Sequence, residues 1–343
     1  MNKILFLKGC AGLGNRFITL CKAIEYAKKT SRKLYVDWAD GMFAAEGENA
    51  FYKYFEIKEV DFIDDFHIIE TNIKNGATLY PKSISVKELH ESIYKNYRHV
   101  GTYLSWKVPL YRILVTMIMK GKITSVFGLQ SWQHKEDKKE CWIRGIRNIY
   151  AERNIQLGSQ LQKKIDRDIV VFIDFRPLIN ISHIFDYIKL KPKYANIFHK
   201  FAEENNLKNN AIGVHIRATD KRPRKQIDKL TALLDKKLLV EQNLNIFLST
   251  DSIQILQEFQ KRYRTKIIVY PKFLPEELKG KGIHHWALNN KNKDIKSKMF
   301  EDSLADMWLL SMCKYLYWQG NSSFSLISKI LKNDKSTTIN WMR

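Results

Sequence analysis

The segment Gly213-Val214-His215-Ile216-Arg217-Ala218-Thr219-Asp220-Lys221 concentrates side chains able to do chemistry. Arg217 and Lys221 both stay cationic at neutral pH, and a guanidinium can grip two oxygens at once. That combination suits a diphosphate. The run opens apolar and turns abruptly polar, as a buried strand reads where its carboxyl end opens into a site. In open α/β sheets, ligands sit in the crevice outside those ends. Two further strand ends read the same way: Thr250-Asp251 after a strand over 245–249, and Gly320-Asn321-Ser322-Ser323 after one over 315–319. In a parallel sheet the three fall on one side and can converge. Ser322 and Ser323 open a helix, where hydroxyls and free amides seat a phosphate; plain capping of that helix is the structural alternative. Asp251 reads as a member of this cluster or as a turn residue. Asp306, in the first turns of a helix predicted over 302–314, could point at the same cleft.

These residues need a scaffold, and the pattern around them supplies one. A strand over 3–7 leads through Gly9, Gly12, Gly14 and Asn15 into a helix over 16–29, whose Phe17, Leu20, Cys21, Ile24 and Ala27 share a face. A second strand follows over 33–38. This β-turn-α-β order opens a doubly wound domain, and its glycines let backbone amides approach a ligand at a helix N-terminus, where the dipole favours anions. The stretch 41–170 gives mixed signals, and 169–175 is a clear strand. A helix over 193–206 precedes the opening motif. Strands over 212–217, 245–249, 266–270 and 315–319 then alternate with helices over 227–239, 253–263, 302–314 and 324–331. Such alternation implies parallel sheet with right-handed crossovers. The expected fold class is α/β: two doubly wound Rossmann-like domains, 1–190 and 191–343, facing a cleft.

Composition bounds the partners. The 343 residues exceed one ordinary core. A 45% hydrophobic and 12% aromatic content excludes wholesale disorder. Fifty-eight basic against thirty-six acidic residues give a formal charge of +22, a field that attracts nucleic acid, anionic membrane or phosphorylated substrates without choosing among them. No nucleic-acid-binding motif accompanies it. Cys10, Cys21, Cys141 and Cys313 are scattered, with no zinc spacing, and read as reduced buried thiols. Met1 to Leu7 is too short an apolar run for a signal peptide, and no stretch reaches a membrane span. A cytoplasmic protein is expected. The segment 103–129 mixes Trp106, Leu110, Leu114 and Met117 with Lys107, Arg112, Lys120 and Lys122; it reads as a helix packed on its own domain or as a contact with an anionic bilayer at the inner membrane. Asp166-Arg167-Asp168 is formally a metal-binding DxD, but it precedes a strand and reads as a solvated turn. His284-His285 lacks partners at metal spacing. No Ser-His-Asp or Walker pattern is present.

Taken in order, GLGNRF, YAKKTSRKLYVDW, GVHIRATDK, FLSTDS and DSLADMWLLSMCKYLYWQGNSSFS resemble the GDP-fucose-dependent fucosyltransferase superfamily, above all its rhizobial nodulation and N-glycan-core α-1,6 members. The likeness covers roughly 3–38 and 195–331 and leaves the middle unmatched. It implies a two-domain GT-B-type fold and an inverting, metal-independent transfer with no cofactor. The GDP-sugar donor would be held mainly by the C-terminal domain. Arg217 would meet the donor β-phosphate and offset charge developing on the leaving GDP. His215, Asp220 and Lys221 occupy the other polar positions of that motif. Asp306 resembles the carboxylate that recognises guanine, Ser322 and Ser323 the phosphate-binding serines, and Gly12, Gly14 and Asn15 the loop closing over the nucleotide. Two departures stand out. The glutamate that follows TDK in the core enzymes is replaced by Lys221-Arg222-Pro223-Arg224-Lys225, which leaves Asp37, Asp40 and Asp220 as candidate bases, and the family's doubled arginine is Arg217-Ala218. The expected activity is fucose transfer to a cell-surface glycan precursor, such as lipopolysaccharide, capsule or a lipid-linked oligosaccharide. A different nucleotide sugar, a non-catalytic sugar-nucleotide binder and a nucleic-acid binder are the alternatives.

Overall fold

The computed structural model describes residues 3–9, 12–45, 47–80, 86–90, 125–126, 129–133, 141–143, 165–172, 181–219, 224–275, 290, 292–334 and 336–343. The protein is a mixed α/β chain with two parallel sheets. It divides into two compact units: residues 1–11, 15–41 and 46–189 form the first, and 12–14, 42–45 and 190–343 the second.

The first unit is built on β1 (Ile4–Lys8), α1 (Leu13–Thr30, whose first two residues group with the second unit), β2 (Lys33–Asp37), α2 (Phe66–Lys74), β3 (Leu79–Tyr80) and β4 (Ile169–Phe172). The strands pair in parallel in the order β2-β1-β4-β3. Every residue of β1 and β4 is buried, which is why Ile4 to Leu7 and the whole of β4 read as unbroken apolar runs rather than as alternation. Ile4, Phe6, Tyr35, Ile169 and Val171 meet Ile63 and Ile69 in one core cluster. Buried Arg32 fastens the amino ends of the strands: its guanidinium donates to the carbonyls of Ile4, Ile165, Arg167 and Asp168 at 3.4, 2.6, 2.8 and 3.0 Å. Five donors in a rigid fork make such multiple bonding possible. Just before β4, exposed Asp166 engages Lys3 and half-buried Asp168 engages Thr78.

The second unit comprises α3 (Pro192–Glu204), β5 (Ala211–Ile216), α4 (Arg224–Val240), β6 (Asn245–Thr250), α5 (Ile253–Tyr263), β7 (Ile267–Ile268), α6 (Lys293–Met312), β8 (Tyr315–Trp318), α7 (Ser323–Lys332) and β9 (Thr338–Asn340). Its five strands run parallel in the order β7-β6-β5-β8-β9. Ile212, Val214 and Ile216 pack with Ile246, Leu248, Leu230, Leu234, Phe259 and Trp341 on one face of this sheet. Pro192 starts α3 at a position where its missing N–H costs nothing, and Ser252 caps α5 by accepting from the Ile255 amide.

Three differences from the sequence pattern bear on function. The helix predicted over 302–314 begins at Lys293, capped by Asn292, whose side chain accepts from the Asp294 and Ile295 amides. Asp306 therefore lies deep within α6 and not in its first turns. The strand predicted over 266–270 is confined to β7, because a 3-10 turn over Arg264–Lys266 precedes it. The chain also adds β9 at the sheet edge, unanticipated from its short polar sequence. Among the described residues no helix is long and apolar enough to cross a membrane.

Candidate functional site

Side chains alternate along a strand, and this decides what β5 presents. With Ile212, Val214 and Ile216 in the core cluster, Gly213, His215 and then Arg217 take the opposite face. Gly213 carries no side chain because α6 passes close: an added Cβ would lie 3.0 Å from Cys313 Sγ and 3.1 Å from the Leu310 carbonyl oxygen. That approach brings Asp306, one turn before Leu310, to the carboxyl end of β6. There Ser249, the register partner of His215, donates its hydroxyl to Asp306 Oδ2 at 2.9 Å.

Asp306 is a buried carboxylate with one oxygen engaged twice. Lys272 Nζ also reaches Oδ2, at 2.6 Å, with both side chains almost wholly buried. Burial pushes the Asp306 carboxyl above its ordinary range, while the Lys272 ammonium and the Ser249 hydroxyl pull it back. Its second oxygen, Oδ1, is buried without a hydrogen-bond partner among the described residues. A buried acceptor in that state costs roughly 1–3 kcal/mol, so a ligand N–H bonded there would be well rewarded. The next turn back holds Asp302, which accepts from the Phe273 amide at 3.1 Å and from Lys298 at 2.6 Å.

His215 is also buried. Its ring stacks on Phe324, 4.9 Å between centroids, and Nδ1 lies 2.5 Å from Ser325 Oγ. Burial first, then the charges of Arg217 and Lys272, push its pKa down to about 3. The imidazole is neutral at physiological pH. Ser325 Oγ already accepts from the Gln319 amide at 3.1 Å, so its own proton suits Nδ1, an arrangement that leaves the ring N–H on Nε2.

The Arg217 backbone is held from two sides. Its amide donates to Gln319 Oε1 at 2.6 Å and its carbonyl accepts from Gln319 Nε2 at 3.3 Å. The following amides, Ala218 and Thr219, donate to Asp251 Oδ1 at 2.8 and 3.3 Å, and the Thr219 hydroxyl to Oδ2 at 2.5 Å. Asp251 is thus a turn residue that stitches the end of β6 to the loop after β5.

One cavity of the second unit gathers these groups. Arg217, His215, Ser249, Asp251, Lys272, Phe273, Lys296, Asp302, Asp306, Ser323 and Phe324 line it, with Gly12, Leu13, Gly14, Met42 and Phe43 from the short N-terminal segments that group with this unit. Phe43 stacks on Phe300 at 4.4 Å and 19°. Ser322 stands at the N-cap of α7 but forms no side-chain cap; its Oγ is buried without a partner among the described residues. The helix therefore offers first-turn amides without a side-chain cap at the cavity, together with the positive end of its dipole. Arg217, Lys272 and Lys296 line the same space, with Lys272 paired to Asp306 and the carboxylates of Asp251 and Asp302 on the same wall. The Arg217 guanidinium and the α7 N-terminus can bind an anion there and stabilise charge developing on it.

Of the residues singled out from the sequence, His215, Arg217, Asp306, Ser323, Gly12 and Gly14 line this cavity, whereas Ser322 and Asn15 do not. The Asn15 carbonyl accepts from Thr19 within α1. Asp220, Lys221, Arg222 and His284-His285 lie outside the described residues, as does most of 103–129. Asp37 and Asp40 belong to the first unit, and each is buried against a cation: Asp37 with Lys8 at 3.0 Å, Asp40 with Arg16 at 2.5 Å. Sequence reasoning missed Lys272, Phe273, Lys296, Asp302 and Gln319. For Lys272 and Phe273 a signal was available, since they follow the short strand β7 and its proline much as Arg217 follows β5.

No protein-family model matches the sequence, and no curated protein matches it. Solved structures do. The fucosyltransferase NodZ from Bradyrhizobium superposes with a TM-score of 0.60 at 16% identity, over 96% of this chain and 92% of that one. NodZ α-1,6-fucosyltransferase soaked with GDP-fucose gives 0.60 at 17%, over 96% and 93%. POFUT1 in complex with GDP gives 0.53 at 11%, over 97% and 96%. At these identities the likeness is one of architecture, and it extends through nearly the whole chain: the protein has the fold of the NodZ fucosyltransferases.

Proposed function

We propose that the protein is an inverting glycosyltransferase of GT-B type, with two doubly wound domains, that moves fucose from GDP-fucose to a cell-surface glycan precursor. The observation that carries this reading is the second-unit cavity. It combines the Arg217 guanidinium, the α7 N-terminus at Ser323 and the open acceptor Asp306 Oδ1 in a fold like that of proteins solved with GDP-fucose and GDP. The diphosphate lies against Arg217 and the α7 amides. Guanine N–H groups reach Asp306, which has one oxygen to offer because Ser249 and Lys272 occupy the other. An acceptor hydroxyl attacks the anomeric carbon, the bond to the β-phosphate oxygen breaks, and its electron pair goes to GDP. Arg217 stabilises that charge as it forms, the role a metal plays elsewhere. The attacking hydroxyl gives up its proton to a carboxylate. Asp37 and Asp40 are already committed to Lys8 and Arg16, so Asp220 is the base of choice. The acceptor belongs to a lipid-linked or lipopolysaccharide precursor at the cytoplasmic face of the membrane.

A second reading keeps GDP and changes the sugar. Ala218 stands where the family pattern has a second arginine, and its side chain packs against the core cluster, so no guanidinium issues from that position. One screen separates the readings. Thermal unfolding with GDP, UDP and CMP reports the base, since a ligand stabilises only the state that binds it. Transfer and hydrolysis assays with GDP-fucose and GDP-mannose report the sugar. GDP alone protects, GDP-fucose is turned over, and added Mg2+ or Mn2+ leaves the rate unchanged. Arg217→Ala lowers kcat by roughly 10²–10³-fold, the scale for removing one donor to a developing oxyanion. Wild-type transfer by that variant, or equal protection by UDP, overturns the assignment.

A further inference from the structure

A second cluster of reactive side chains lies in the first unit and plays no part in the chemistry above. Cys21 and Glu25 sit one turn apart on α1, on the same face, and His183, just before the short helix Ile184–Tyr187, reaches both. Cys21 Sγ is 3.7 Å and Glu25 Oε1 3.4 Å from the same nitrogen, His183 Nε2, and the three ligand atoms lie within 4.8 Å of one another. This convergence on one nitrogen decides between two uses of the trio. A nucleophile–base–orienter relay would place the thiol and the carboxylate on opposite ring nitrogens. Three atoms gathered about a common point instead describe part of a coordination shell. Zinc bonded at about 2.3 Å to sulfur and about 2.0–2.2 Å to nitrogen and oxygen sets tetrahedral edges of about 3.3–3.6 Å, and the two separations from His183 Nε2 are close to these.

We propose that Cys21, Glu25 and His183 bind a zinc ion, with water as the fourth ligand. The thiolate and carboxylate neutralise the divalent charge, and the neutral imidazole completes the protein set. Zinc takes the sulfur as thiolate: the Zn–S bond forms as the S–H proton leaves to solvent. Cys21 is buried, while the His183 and Glu25 side chains are about one-third exposed, at 34% and 38%. The metal enters from that side and keeps its water there. Lys22 lies 3.6 Å from the other carboxylate oxygen, Glu25 Oε2, and leaves Oε1 to face His183. Bound zinc clips α1 to residues 181–187, a long-range tie that no sequence spacing reveals, because Cys21 and His183 stand far apart in the chain.

The test titrates the metal-free full-length chain with CoCl2 and then ZnCl2. A thiolate-to-cobalt charge-transfer band accompanies tetrahedral cobalt absorption, zinc bleaches both, and zinc raises the unfolding temperature. Cys21→Ser abolishes the charge-transfer band, Cys313→Ser retains it, and His183→Ala and Glu25→Gln each weaken zinc by at least about tenfold. His183 and Glu25 are partly exposed, so these last two variants report on the site even if Cys21→Ser unfolds. Cobalt binding without a thiolate band, or wild-type zinc affinity in His183→Ala, overturns the proposal.

Discussion

A guanidinium grips a diphosphate well only when the backbone beneath it is fixed, and here two side chains do the fixing. Gln319 closes a two-bond ring on the Arg217 peptide, and Asp251 collects the amides of Ala218 and Thr219. Replacing Asp251 by Ala leaves two amides without their charged acceptor, at a cost of about 1–3 kcal/mol. The variant is expected to unfold at lower temperature and to bind GDP more weakly in calorimetric titration; unchanged GDP affinity would show that the loop is held by other means. At this scale the sequence was legible where a residue's neighbours gave it away. His215 and Arg217 alternate with a run of Ile and Val, so their shared face follows from strand geometry. Lys296 and Asp302 were hidden, because they sit in a Lys-rich stretch that reads as solvated surface. Gln319 was hidden for another reason: an uncharged amide at a strand end carries no signal of the peptide it grips.

Strands were the more legible elements. β1, β5, β6 and β8 are apolar runs closed by glycine or polar turns, and parallel pairing follows from the helices between them. Helix limits were harder. α6 is buried on several sides, from Lys296 and Met299 through Leu310, so it shows none of the 3.6-residue stripe that marks a surface helix. Its start is set by Asn292, a cap recognisable only once the helix is known. The glycine loop was legible as a place of close approach, but the approach differs from the expected one. At Gly14 an added Cβ would collide with the backbone of Ser323 and Phe324, whereas at Gly12 it meets nothing. Gly14 thus lets the start of α1 press against the start of α7. Gly14→Ala is expected to destabilise the protein and weaken GDP binding, since peptide groups cannot yield as a side-chain tip can. Gly12→Ala is expected to alter stability by only a few tenths to about 1 kcal/mol, from reduced unfolded-state freedom. Thermal unfolding of the pair checks this, and equal effects would refute the packing role of Gly14.

At the scale of the whole molecule, the buried imidazole couples global stability to pH. His215 titrates near 3 in the folded chain because burial and two nearby cations oppose its charge, but near 6.5 once unfolded. Between those values the unfolded state binds the extra proton, so stability rises with pH and is lost as pH falls from neutrality. The size of the loss at pH 5 hardly depends on the folded value. It is set by the unfolded pKa and comes to about 2 kcal/mol. A formal charge of +22 adds its own acid slope, because protonating carboxylates increases self-repulsion. A variant separates the two. His215→Asn keeps a polar atom near the Nδ1 position for Ser325 but cannot take up the proton, so the general repulsion persists while the imidazole contribution vanishes. Urea unfolding of both proteins between pH 7 and pH 5 is expected to show the wild type losing about 2 kcal/mol more than His215→Asn over that interval, whatever the offset between them at pH 7. Parallel curves would mean that the folded imidazole titrates as it does in the unfolded chain, and the lowered His215 pKa would then be wrong.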